Sequence, residues 1–214
     1  MMSVCRVLVL ISGNGSNLQA IMESALPKSP YQVVGVISNK ADAYGLTRAA
    51  AANVDNLCVS AMPGESRTEY DKRLATAMDS FKPDLVVLAG FMRILGDELV
   101  MAYQGRMINI HPSLLPKFTG LDTHQRAIDA AEPEHGASVH FVIPHLDAGP
   151  VILQAKVPVF TDDTAEMLAA RVQEQEHAIY PLVVKWFAEG RLQMRDNHAW
   201  LDDKPLAAMG YAAD

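Results

Sequence analysis

Apolar runs rich in Val and Ile alternate along this chain with stretches of helical periodicity. Val7-Leu8-Val9-Leu10-Ile11 and Leu85-Val86-Val87-Leu88 are unbroken runs, the pattern of strands buried on both faces of a parallel sheet. The pattern predicts strands over 6–12, 32–38, 57–60, 84–89, 107–110, 138–143 and 151–159. It predicts helices over 16–25, 43–52, 66–81, 92–103, 123–131 and 164–187. Strand–helix alternation of this kind implies an α/β fold with a doubly wound, Rossmann-like, mostly parallel sheet. The last two strands follow each other closely, across His145-Leu146-Asp147-Ala148-Gly149-Pro150, so the sheet should end in an antiparallel edge. Ligands of open α/β sheets bind at the carboxyl ends of the strands. The informative residues are therefore expected just after strands.

The loop after the first strand is Ser12-Gly13-Asn14-Gly15-Ser16-Asn17, and a helix follows it. Glycine tolerates positive φ and lets a ligand approach the backbone, and a helix start offers free N–H groups to an anion. A dinucleotide fingerprint would need a third glycine where Leu18 stands, and no Gly-Lys-Ser/Thr follows for a P-loop. The loop is then either a tight structural turn or a cradle for a single phosphate.

Asn109 and His111 alternate with Ile108 and Ile110, so both side chains face one side of the fifth strand, and Pro112 ends it. If the loop carrying Asp147 meets this strand end, the carboxylate can orient the imidazole, and Asn109 and His111 become two donors for a developing oxyanion. The alternative is a structural histidine. His140 alternates with Val139 and Phe141 and either faces the same cleft or supports it. No cysteine nucleophile or G-x-S-x-G elbow is present, so the implied chemistry is direct acyl transfer through a tetrahedral intermediate. In the last helix Leu168, Val172, Ile179, Val183 and Trp186 form an apolar stripe interrupted by Glu176, with Gln173 one turn back. Burying a carboxylate on such a stripe is costly. Glu176 is thus an internal ion-pair member, a side chain reaching solvent near Pro181, or an acceptor for a ligand hydroxyl or amine.

Composition narrows the classes. The 214 residues, half of them hydrophobic, suffice for one core, so a single domain over 1–214 is expected. A formal charge of −7 without a Lys/Arg run argues against a broad nucleic-acid surface but leaves room for a small anionic ligand. No apolar run approaches the ~20 residues that span a bilayer, and the first strand is too short for a signal peptide, so a cytoplasmic protein is expected. The two cysteines make no disulfide framework, and the histidines lack metal-ligand spacing, so no metal is expected.

These residues resemble the phosphoribosylglycinamide formyltransferases, small folate-dependent enzymes. The likeness runs from Val7 to Gly210-Tyr211-Ala212. It is densest at 11–19, at Leu88-Ala89-Gly90-Phe91-Met92-Arg93-Ile94-Leu95, at Asn109-Ile110-His111-Pro112-Ser113-Leu114-Leu115-Pro116 and at 173–181. The resemblance implies the formyltransferase fold and transfer of a formyl group from 10-formyltetrahydrofolate to the amine of 5'-phosphoribosylglycinamide, in a monomer or weak homodimer. It implies that Gly15, Ser16 and Asn17 hold the phosphate, and that Gln173 and Glu176 hold the ribose or glycine end. Arg67, Met92, Arg93, Ile94 and Leu95, with the loop from Ile143 to Asp147, would bind the folate. Asn109, His111 and Asp147 would be the catalytic trio, under a lid from Lys117 to His124. The lid departs from the bacterial pattern at Thr119 and Asp122, where Pro and His are usual. The rival readings are 10-formyltetrahydrofolate hydrolase, which resembles the catalytic half but carries an amino-terminal regulatory domain, and methionyl-tRNA formyltransferase, which carries a tRNA-binding barrel. A non-catalytic nucleotide-binding module is a further alternative.

Overall fold

The computed structural model describes residues 4–25 and 27–211; Ala212, the last residue of the stretch of resemblance, lies outside them. The chain runs β1 (Cys5–Ile11), α1 (Ser16–Ser24), β2 (Tyr31–Ser38), α2 (Tyr44–Ala51), β3 (Asn56–Cys58), α3 (Arg67–Ser80), β4 (Leu85–Leu88), α4 (Asp97–Ala102) and β5 (Met107–His111). It continues through α5 (Thr123–Asp129), β6 (Glu134–Phe141), β7 (Val151–Pro158), α6 (Ala165–Ala188), β8 (Leu192–Arg195), β9 (His198–Leu201) and β10 (Lys204–Pro205). Seven strands form one sheet in the order β3-β2-β1-β4-β5-β6-β7. The first five are parallel, whereas β6 is antiparallel to both β5 and β7. This is the expected α/β sheet with an antiparallel edge.

Burial explains why β1 reads as an unbroken apolar run. Val7, Val9 and Ile11 pack with Leu18 and Ile21 of α1 and with Leu168, Val172, Ile179 and Val183 of α6. Leu8 and Leu10 face the other side, against Tyr70, Leu74 and Met78 of α3 and Leu99 and Val100 of α4. Both faces of the strand are thus removed from water, which only an all-apolar strand allows without penalty. Strand order reverses between β1 and β4, the kind of place where open α/β sheets bind ligands at the carboxyl ends of their strands.

Three elements differ from the sequence expectation. The helix predicted over 92–103 begins only at Asp97. Residues before it bond elsewhere: Met92 N donates to Ser12 Oγ at 2.7 Å, Gly96 N to Asp71 Oδ2 at 2.7 Å, and the Leu95 carbonyl accepts from Arg67 Nη2 at 2.8 Å. These bonds satisfy backbone groups that a helix would otherwise pair. Strand β6 starts at Glu134 rather than 138, because Gly136 fits where a Cβ would lie 1.9 Å from the Ala155 carbonyl of β7. The β8–β10 sheet carried no clear apolar alternation. Its signal lies in the turns, where Asp196, Asn197, Asp202 and Asp203 all adopt positive φ, the requirement of two-residue hairpin turns.

Candidate active site

Strand β5 carries Asn109 and His111 at its carboxyl end, and its register with β6 sets His140 opposite Asn109. Asn109 Nδ2 lies 3.2 Å from His140 Nε2. His140 Nδ1 lies 2.9 Å from the Phe141 carbonyl, which can only accept, so Nδ1 carries the proton and Nε2 receives the Asn109 amide. Burial holds the His140 pKa below the usual imidazole value, against the opposing pull of the Phe141 carbonyl and Asp147. His140 therefore serves as a neutral acceptor that orients Asn109.

The turn after β6 brings Asp147 to the same place. Its Oδ2 stands 3.5 Å from His111 Nδ1, and its Oδ1 stands 3.9 Å from His140 Nε2. The carboxylate is nearly enclosed, with 7% of its side chain exposed, and accepts from Gly120 N at 2.9 Å. Asp147 takes φ of 50°, a left-handed conformation that aspartate tolerates better than most residues. Gly149 closes the turn against β6, since a Cβ there would lie 1.7 Å from the Phe141 carbonyl. His111 Nε2 donates to the Phe118 carbonyl at 2.8 Å. A neutral ring with that proton faces Asp147 with a bare Nδ1, and a second proton on the ring would meet the carboxylate. Asn109, His111 and Asp147 thus converge, and the 3.5 Å separation is longer than a hydrogen bond.

The loop over 117–124 is bonded to this group through the Phe118 carbonyl and the Gly120 amide. Arg126 Nη1 reaches the carbonyls of Thr119 and Leu121 at 2.7 and 3.1 Å, and Ser113 Oγ donates to the Lys117 carbonyl at 2.6 Å. Asp122, one of the two departures, precedes α5 with φ of 56°. At the end of this loop the rings of His124 and His135 meet edge to face, with centroids 5.2 Å apart. His124 Nδ1 and His135 Nε2 are buried without partners among the described residues. Burial, reinforced by His124, pushes the His135 pKa down to about 4, and burial lowers that of His124 as well. A depressed histidine pKa means that the unfolded chain takes up the proton first. The contribution to stability is complete above the unfolded value of about 6.5 and is lost as pH falls towards the folded value. The thermal unfolding midpoint should fall more steeply between pH 6.5 and pH 4.5 in the wild type than in His135→Gln; parallel curves would contradict this.

A second cluster forms where α6 crosses the start of α1. Gly15 takes φ of 76° and no side chain caps α1, so the N–H groups of its first turn have no side-chain acceptor at the cap. Gln173 Nε2 donates to Ser16 Oγ at 3.1 Å, and Asn17 Nδ2 donates to Glu176 Oε2 at 2.8 Å. Glu176 is buried without an ion pair among the described residues, and burial raises its pKa while the Asn17 amide opposes that shift. Of the three sequence readings for Glu176, the ion pair and the solvent-facing side chain are both absent here.

The residues expected to bind folate surround the loop after β4. Arg67 is bonded to Leu95, the Arg93 guanidinium lies 3.9 Å from the centroid of Tyr70, and Met92 and Ile94 are exposed. Leu95 is buried in a cluster that Val142 joins from the end of β6, and Ile143 follows it into the Asp147 turn. Sequence reasoning missed the Phe118 carbonyl and Gly120 amide as partners of the trio, since main-chain groups leave no residue-type signal. It also missed Arg48, which donates from Nε to the Asn14 carbonyl at 2.9 Å.

Residues 5–184 match the family described as formyl transferase. The chain is 56% identical over 209 residues to the phosphoribosylglycinamide formyltransferase of Escherichia coli strain K12, covering 97% of this chain and 99% of that one. The enzyme of the same name from Haemophilus influenzae is 48% identical over 208 residues, covering 97% and 98%. Among solved structures, the phosphoribosylglycinamide formyltransferase of Coxiella burnetii superposes with a TM-score of 0.93 at 51% identity, covering 98% of this chain and 99% of that one.

Proposed function

The chain belongs to the formyl transferase family, and from that membership we propose how its cleft divides the work. It is an enzyme that transfers a formyl group to the amine of 5'-phosphoribosylglycinamide in purine biosynthesis. The donor is 10-formyltetrahydrofolate, no metal takes part, and the single domain works in the cytoplasm as a monomer or weak homodimer. The observation that carries the reading is the meeting of Asn109, His111 and Asp147 at the carboxyl end of β5, beside an uncapped helix start.

The phosphate of the acceptor sits on the N–H groups of Gly15, Ser16 and Asn17, where the helix dipole favours an anion. Gln173 and Glu176 take the ribose or glycine end. The folate lies along Arg67, Met92, Arg93, Ile94 and Leu95, with its formyl-bearing end directed towards the trio past Ile143. The acceptor amine attacks the formyl carbon, a C–N bond forms, and negative charge develops on the formyl oxygen. Asn109 and His111 donate to that oxygen, and for His111 this means exchanging the Phe118 carbonyl for the substrate oxygen. The lid therefore shifts before transfer. The proton lost by the amine reaches the departing N10 through water held near Asp147, and the C–N10 bond breaks.

The test is transfer from 10-formyltetrahydrofolate, followed by absorbance with and without the ribonucleotide acceptor. Turnover that requires the acceptor is expected. Folate release at the same rate without it would make the protein a hydrolase, and no turnover in either case would refute the donor assignment.

A further inference from the structure

Helix α2 packs against the glycine loop at backbone distance. Gly45 N donates to the Gly13 carbonyl at 3.0 Å, and a Cβ on Gly15 would lie 2.7 Å from Gly45 Cα. One turn further along α2, Arg48 grips the same loop with two prongs. Its Nε donates to the Asn14 carbonyl at 2.9 Å and its Nη2 to Asn14 Oδ1 at 3.0 Å, while Nη1 lies 3.5 Å from Gln19 Oε1. Elsewhere Arg73, Arg171, Arg191 and Arg195 each meet a carboxylate, whereas the side chains of Arg6, Arg67, Arg106 and Arg126 donate to main-chain carbonyls. Arg48 meets neutral oxygens and, 4.9 Å away, the face of the Tyr44 ring, and forms no ion pair among the described residues, so no carboxylate offsets its charge beside a loop that contains no lysine or arginine.

We propose that Arg48 is a positioning residue for the acceptor's phosphate. It fixes Asn14, and through Asn14 the direction of the Gly15, Ser16 and Asn17 amides. Its unpaired charge makes the loop select a phosphorylated acceptor over an unphosphorylated one. A planar guanidinium is suited to both tasks, since its fork matches the two Asn14 oxygens and its charge persists at every working pH. The proposal rests on the acceptor reading above.

The experiment compares transfer to 5'-phosphoribosylglycinamide and to the same compound without its phosphate, in the wild type, Arg48→Gln and Arg48→Lys. In Arg48→Gln the ratio of kcat/KM between the two acceptors is expected to fall about tenfold or more, mainly through KM of the phosphorylated one. Arg48→Lys, which keeps the charge but not the fork, should fall between. An unchanged ratio in Arg48→Gln overturns the proposal, including the case in which both acceptors lose activity equally. If Arg48→Gln does not fold, Asn14→Ala judged by the same ratio decides. A wild type that uses both acceptors equally would sink the phosphate reading itself, a result distinct from an insensitive Arg48.

Discussion

Replacing His111 with Ala is expected to lower kcat by about 10³-fold while the phosphorylated acceptor still binds. The imidazole is buried and held between two oxygens, the Phe118 carbonyl at 2.8 Å and Asp147 at 3.5 Å. Loss of one such donor removes charge stabilisation that exists only in the transition state, so kcat falls and KM for the acceptor changes little. Asp147→Asn should cost about 10²-fold or more, because an amide carries no charge and sets an NH2 donor where one of two carboxylate oxygens faced His111, His140 and the Gly120 N–H. If the two residues act as one unit, the double variant loses little beyond His111→Ala alone. Steady-state rates combined with direct binding of the acceptor check this. Turnover near that of the wild type in either single variant would remove the trio from the mechanism.

Glu176→Leu should raise KM for the acceptor by on the order of 10²-fold, with a smaller effect on folate binding. The carboxylate is buried, and its only partner among the described residues is the Asn17 amide at 2.8 Å, so its remaining acceptor capacity is left for a substrate donor. Because burial raises its pKa, Glu176 takes up a proton at a higher pH than a surface glutamate would. Acceptor binding should accordingly weaken as pH falls through that raised value. The effect on stability has the opposite sign. A carboxyl whose folded pKa is raised stabilises the fold at low pH and loses that contribution as pH rises. Near neutral pH the leucine variant should therefore unfold no earlier than the wild type, since a costly buried charge is gone. An unchanged KM, or a large drop in the unfolding midpoint, would contradict this account of Glu176.

Part of this site could be read along the chain. Asn109 and His111 share a face because strand side chains alternate, and Pro112 marks where the strand stops. The Gly13-Asn14-Gly15 loop announces a helix start with free amides, and the structure gives Gly15 the positive φ that glycine accommodates. Glu176 stands out because it breaks an apolar stripe. The misreadings have equally local causes. Met92 to Leu95 looks helical, yet the backbone around it is bonded to Ser12, Asp71 and Arg67 from other elements. His135-Gly136 interrupts the apolar pattern of β6, yet Gly136 is what lets β7 lie close.

By itself the sequence determined the alternation of strands and helices, the burial of both faces of β1, and the residue types at each strand end. These follow from periodicity and side-chain chemistry, which act over a few residues. Only the tertiary structure decided which ends meet. The β5–β6 register set His140 against Asn109, the Gly149 turn carried Asp147 to His111, and α6 brought Glu176 to Asn17 across the fold. The Phe118 carbonyl, the Gly120 amide and the grip of Arg48 on Asn14 depend on where main-chain atoms and distant helices come to rest. That placement results from closing the whole sheet and packing both of its faces at once, and no short window of residues encodes it.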